Sequence, residues 1–291
     1  MSPDSPRRAD WQPAGDDLLL LQALLLPGRP GFDAWRAWSA RVALDDVGPA
    51  AFRLLPELSR VLREHGVATP DLARLNGVSR KTWYENQLQL AALEQLLQSL
   101  SAAGFETLLL RGAISASRGP NKHNQHNIDN LACAVPFDAV PAAVPVLARA
   151  GWRLTPDRAD PLGHWRFRTS AFFQSSLNNE AIEICWRLIP YDPARLGASG
   201  IWQRSQPARL AGQATRVPDV TDQLWMACAE GVVWQAVPDW RWAVDAVQLI
   251  QGGGMDWPRL IENCRQCQTT CRVRAALSFI ATALRRRSPR P

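Results

Sequence analysis

Three short stretches of this chain carry residues whose type and spacing suit chemistry. Arg111-Gly112 closes the apolar run Leu108-Leu109-Leu110. Asn127-Ile128-Asp129 follows sixteen residues after Arg111, and Glu183 stands between Ile182 and Ile184. Two acids set two residues apart at the mouth of one strand, with a third on its neighbour, can hold a divalent ion against a polyphosphate, because alternation sends all three to one face. Two such ions activate an attacking oxygen and stabilise a leaving pyrophosphate. Magnesium suits the task, since it takes oxygen ligands and keeps substrate phosphates in its shell. On this reading Asp129 and Glu183 are the candidate catalytic acids and metal ligands. Asn127, on the same strand face as Asp129, is a third candidate ligand. Arg111 and Gly112 are candidates for binding a nucleotide's phosphates, the first through its planar fork of donors and the second by letting the backbone come close.

Each of these residues has a plainer role beside the chemical one. Asp129 is also an ordinary turn acid, Asn127 a turn residue, Gly112 a strand terminator and Arg111 a surface cation. Glu183 between two isoleucines could face solvent on an edge strand. Other polar groups make weaker cases. His123 and His126 lie three apart without a cysteine or acid at ligand spacing. Cys264, Cys267 and Cys271 fall in a helical pattern with no second pair to complete a zinc site. Trp225, Trp234, Trp240 and Trp242 crowd the C-terminal helices, where core packing is the default and a stacking platform the alternative. The arginine run at 285–287 reads as a solvated basic tail.

The elements that must position these residues can be read from periodicity. Between Asp17 and Ser101 apolar residues recur at helical spacing, as in Leu88, Leu93, Leu96, Leu97 and Leu100, and four or five helices are expected. The pattern changes at Gly104. Strands are expected over 105–110, 128–135, 151–155, 164–173, 180–188 and 213–217, with a helix over 137–150, and a loop after Pro190. The fourth and fifth strands read as a hairpin through the turn at 176–179. Helices resume over 222–237, 240–251 and 257–287, with Gly252–Gly254 as a break. Strand, helix, strand and then consecutive strands indicate a mixed α/β (α+β) sheet. The expected organisation is a tail (1–16), an N-terminal helical region (17–101), an α/β core (102–218), a C-terminal helical region (219–287) and a tail (288–291).

Bulk properties narrow the class. With 46% hydrophobic and 21% charged residues the chain is globular rather than disordered. Its net charge of +6 is interspersed with acids and fits a nucleotide, an acidic peptide or a nucleic acid equally well, so it selects none of them, and a nucleic-acid partner is not expected on other grounds. Six scattered cysteines suggest reduced thiols and a cytoplasmic location. No apolar run approaches the ~20 residues of a membrane span, so no membrane partner is expected.

The stretch LLLRGAISAS…HNIDNLACAVPFDAVPAAVPVLARAGWRL…IEICWRL resembles an uncharacterised bacterial nucleotidyltransferase family of the DNA polymerase beta-like superfamily. The flanks REHGVATPDLARL and WRWAVDAVQLI…MDWPRLIENC are similar to its helical parts, so the resemblance covers roughly 40–285. It implies a small mixed-sheet core with helical flanks. It also implies transfer of a nucleoside monophosphate from a nucleoside triphosphate (NTP) to a hydroxyl-type acceptor, with magnesium, ATP or another NTP as ligand, and Glu183 as base. Three positions depart from the family's pattern. Asn127 replaces its first aspartate, Arg111 its lysine, and Cys185 the histidine of Glu-x-His-Trp. The carboxylate set is therefore incomplete. That leaves a second reading, a pseudoenzyme that binds a nucleotide, peptide or partner protein, as accessory proteins of bacterial peptide modification do. A peptide or protein acceptor fits either reading. A third is a helical adaptor around an inert α/β scaffold.

Overall fold

The computed structural model describes residues 11–117, 131–155, 165–189, 196–233 and 237–283. The chain divides into two compact units, Asn76–Asp222 on one side and Met1–Leu75 with Gln223–Pro291 on the other.

The central unit is built on a seven-stranded mixed sheet. Its strands are β1 (Leu108–Arg111), β2 (Leu131–Ala134), β3 (Trp152–Leu154), β4 (Ser170–Ser175), β5 (Ala181–Cys185), β6 (Gln206–Leu210) and β7 (Gln213–Val217), in the spatial order β3-β4-β5-β2-β1-β7-β6. β2 runs antiparallel to β1 and parallel to β5, while β7 runs parallel to β1. The mixed α/β architecture is the one expected from sequence. One face of the sheet is apolar. Leu109, Leu131, Cys133, Ile182, Ile184 and Phe173 pack there against Leu93, Leu96, Leu97 and Leu100 of the long helix α5 (Leu72–Ala102) and Ala143 and Leu147 of α7 (Val140–Arg149). The four α5 leucines are fully buried, at 3- and 4-residue spacing. Each stabilises the fold by about 1.5–3 kcal/mol relative to an exposed leucine. The short helix α6 (Gly112–Ser117) is held to the same core by Ala113, Ile114 and Ala116.

The second unit is helical. Its N-terminal part contains α1 (Gly15–Leu25), α2 (Arg29–Ser39), α3 (Pro49–Phe52) and α4 (Leu55–Glu64). Together with α5 they make five α-helices among the described residues before 103, at the upper end of expectation. Its C-terminal part contains α10 (Arg241–Gly252), α11 (Trp257–Gln266), α12 (Thr270–Ala283) and most of α9 (Val220–Gly231). Gln22 donates its side-chain amide to the Ala283 carbonyl at 2.9 Å, and Trp11, Trp242 and Phe279 form an aromatic cluster. Trp225 is fully buried and donates to Thr269 Oγ1 at 2.9 Å. Trp240 and Trp242 are buried too, so these three indoles are core and offer no stacking platform. Trp234 lies outside the described residues.

Three sequence expectations differ from the structure. The loop expected after Pro190 contains α8 (Leu196–Arg204) and the edge strand β6. β6 alternates poorly, with Pro207 and two other exposed residues, which is what an edge strand tolerates. The helix expected over 257–287 is two helices, because Gln268 adopts a left-handed φ of 55° between them. The strand expected over 164–173 begins only at Ser170, after a 3-10 turn at Trp165–Phe167. The start of the strand expected at 128, the histidines 123 and 126 and the basic tail fall outside the described residues.

Candidate functional site

Glu183 sits in the middle of the sheet. β5 lies between β4 and β2, and Glu183 is 8% exposed, which removes the edge-strand alternative. Its two neighbours Ile182 and Ile184 enter the α5–α7 core, so alternation turns Glu183 to the other face. In register with it across that face are Phe172 of β4, Ala132 of β2 and, one strand further, Leu110 of β1. Glu183 is the sole acid in this row, and Phe172 beside it is exposed.

Its charge is met by Arg111. The Arg111 guanidinium donates from Nη1 to Glu183 Oε2 in a close ion pair. Alternation alone would not bring this about. Leu109 belongs to the core face, and Arg111, two residues on, should follow it. Arg111 instead has φ +51°, a left-handed backbone at the joint between β1 and α6. That joint frees the side chain from the strand's alternation. The guanidinium crosses two strand spacings, roughly 10 Å, from β1 to β5. On the intervening strand Ala132 is in register with Glu183 and presents only a methyl group, while Leu131 is the partner of Arg111. Gly112 opens α6 immediately beside this joint.

The pair is also felt below the sheet. Burial, and next the Glu183 carboxylate, push the Cys133 thiol up to about 12. Cys185, at the end of β5 where the resemblance implies a histidine, is buried as well. The structure therefore brings together Arg111, Gly112 and Glu183 of the residues singled out in the sequence. Asn127 and Asp129 lie outside the described residues. Among the described residues no group of three or more histidine, cysteine, aspartate or glutamate side chains could hold a metal ion; Cys264 and Cys267 are buried and Cys271 is exposed. The pairing of Arg111 with Glu183 was absent from the sequence reading, since nothing in residue type or periodicity announces a left-handed arginine at a strand end.

A family model described as "Uncharacterised nucleotidyltransferase" matches residues 50–285. The chain belongs to that family. Nucleotidyltransferases move a nucleoside monophosphate from an NTP, so nucleotide is the ligand class of the family. No curated protein matches the chain. Among solved structures it is similar to the solution structure of the antibiotic-resistance factor ANT(2'')-Ia, described as showing substrate-regulated conformation dynamics. The two are 15% identical with a TM-score of 0.39 over 68% of this chain and 96% of the other. Among the described residues no helix is long and apolar enough to cross a membrane.

Proposed function

We propose that this chain binds a nucleoside triphosphate beside Arg111 and Gly112 and transfers its nucleoside monophosphate to a hydroxyl-type acceptor, a peptide or protein being one that fits. The observation that carries the reading is the Arg111–Glu183 pair at the β1–α6 joint of a nucleotidyltransferase-family sheet. Arg111 offers a fixed fork of donors to phosphate oxygens. The Gly112 backbone at the start of α6 gives close approach without a side chain in the way. Glu183 is the acid proposed to accept the acceptor's proton as its oxygen attacks the α-phosphorus and pyrophosphate departs. Asp129 and Asn127 complete the proposed site.

Divalent ions in such chemistry act as Lewis acids on the triphosphate. The described donors, one carboxylate already held by a guanidinium, do not make an ion site by themselves, so no step here runs through a metal. That neutralised acid, with Asn127 where the family carries aspartate, also favours a second reading: nucleotide or peptide binding without turnover.

Thermal shift with ATP and the other triphosphates, with and without magnesium, tests binding. A ligand at a hundredfold excess over its dissociation constant stabilises by about 2.7 kcal/mol. Pyrophosphate release with hydroxyl-bearing peptides then separates turnover from binding. No stabilisation by any triphosphate sinks both readings. Binding without pyrophosphate release leaves the second.

A further inference from the structure

We propose that Phe172 is the seat of the acceptor: the attacking hydroxyl is carried by an aryl group, which packs on this ring while its oxygen faces Glu183. The proposal deepens the nucleotide reading above and rests on it.

Phe172 and Glu183 are direct partners across the antiparallel β4–β5 pair. Residues so paired stand on one face with Cβ atoms about 5 Å apart. Phe173, the next residue, enters the core, so Phe172 is on the opposite face, where it is 44% exposed. A single exposed apolar residue is ordinary on a protein surface; what sets Phe172 apart is its pairing with the one acid of the row. Its backbone is also fixed. The Phe172 carbonyl accepts from the Thr155 amide at 2.9 Å and from Thr155 Oγ1 at 2.8 Å. The ring is thus a preset apolar surface, and a ligand that covers it removes apolar area from water.

Strand order decides which substrate meets it. The row runs Phe172 on β4, Glu183 on β5, Ala132 on β2 and Leu110 on β1. The triphosphate is proposed at the β1 end, beside Arg111 and Gly112. In-line attack sets the acceptor and the departing pyrophosphate on opposite sides of the α-phosphorus, and Phe172 is on the opposite side of Glu183 from that end. The acceptor oxygen bonds to the α-phosphorus as the bond to pyrophosphate breaks, and its proton passes to Glu183. A hydroxyl within about 3 Å of the Glu183 carboxylate brings its first carbons beside the Phe172 ring. On the same face the adjoining row of Arg153, Gln174 and Ala181 is exposed or half-buried, which leaves room for the rest of a large acceptor. The row on the other side, with Cys185, Ala134 and Leu108, is buried and closes the face there.

The binding probe is 2-(4-fluorophenyl)ethanol, followed by its fluorine line width on the full chain, with and without a non-hydrolysable ATP analogue. Phe172→Ala is expected to weaken binding about three- to tenfold, the range an aromatic pair supplies. Phe172→Thr, which suits a strand, is the second variant should the first lose its fold, which circular dichroism reports. Phe172→Trp keeps an aromatic face and is expected to keep binding. Equal binding by wild type and the two truncated variants overturns the proposal, and so does no binding to wild type under either condition. Loss of the ATP thermal shift in those variants, with probe binding unchanged, puts the nucleobase on the ring and overturns it too. Turnover gives a second readout through pyrophosphate release from ATP with 2-phenylethanol or ethanol, which share a primary hydroxyl. Wild type should favour 2-phenylethanol in kcat/KM, and Phe172→Ala should cut that preference about three- to tenfold; a preference that survives the truncation overturns the proposal. Phe172-dependent binding of the probe with neither a triphosphate response nor pyrophosphate release supports the aryl seat and overturns the nucleotide reading, so the two failures are separable.

Discussion

Removing either partner of the Arg111–Glu183 pair should cost unequal amounts, and the inequality can be worked from burial. At contact distance, two unit charges attract by about 4 kcal/mol at an effective dielectric of 20. Arg111's side chain is 34% exposed, so solvent screens the pair and desolvation offsets more, leaving a net coupling of about 1–2 kcal/mol. Glu183→Gln leaves an arginine that can turn to water and should cost no more than that coupling. Arg111→Gly leaves a carboxylate with 10% exposure and no cation, and should cost about 3 kcal/mol. Its backbone effects nearly cancel: relief of a left-handed residue is worth about 1–2 kcal/mol, and the added freedom of glycine costs about 0.5–1 kcal/mol. The double variant should be milder than Arg111→Gly alone, because no buried charge remains. In thermal melts of a unit of this size, 1 kcal/mol moves the midpoint by about 2–4 °C. Arg111→Gly should therefore lose about 6–12 °C and Glu183→Gln no more than about 8 °C. A double variant whose loss equals the sum of the singles would refute the pair as an energetic unit, and a Glu183→Gln variant worse than Arg111→Gly would refute the burial argument.

Three further predictions concern the scaffold. A Cβ at Gly231 would lie 2.3 Å from the Trp242 ring, so Gly231→Ala should destabilise by about 2 kcal/mol or more and alter the near-ultraviolet tryptophan dichroism. Asp222 is fully buried and accepts two bonds from Arg204, at 2.9 Å from Nε and 2.8 Å from Nη2. Asp222→Ala should cost about 3 kcal/mol in melts, against about 1 kcal/mol for Asp219→Ala, which removes the cap on the amides of Thr221 and Asp222. Burial pushes the Cys133 and Cys228 thiols up to about 12 and raises that of Cys264 as well, while Cys271 is exposed. Ellman's reagent at pH 8 should titrate one thiol in the native chain and six in denaturant. Because the folded thiols hold their protons more tightly than unfolded ones near 9, stability should fall as pH rises from about 9 towards 12.

The sheet and its helical partners were legible because burial writes a period into sequence. α5 could be read from its leucines, β5 from Ile182 and Ile184, and β7 from its own alternation. What escaped had no such period. β6 is an edge strand whose exposed residues need not alternate, and the break between α11 and α12 rests on one left-handed glutamine with no glycine or proline to mark it. At the site, residue type singled out Arg111, Gly112 and Glu183, and the fold brings them to one joint. Alternation was the wrong guide to what meets Glu183. In register its face holds Ala132, Leu110 and Phe172, none of them charged, and its cation comes from the odd-numbered set of β1 through a backbone turn.

That turn changes what the arginine means. A lysine and an arginine at the end of β1 would look interchangeable as phosphate ligands, yet the arginine's planar fork adds a bidentate geometry toward carboxylate or phosphate that a lysine's point charge lacks. Ala132 is the β2 residue in register with Glu183, on the strand between β1 and β5, so a small side chain there leaves room for the pair. If the guanidinium crosses there, Ala132→Leu should break the pair without touching either partner. In a double-mutant cycle on that background the Arg111–Glu183 coupling should vanish, and a coupling unchanged by the larger side chain would place the arginine on another route to Glu183.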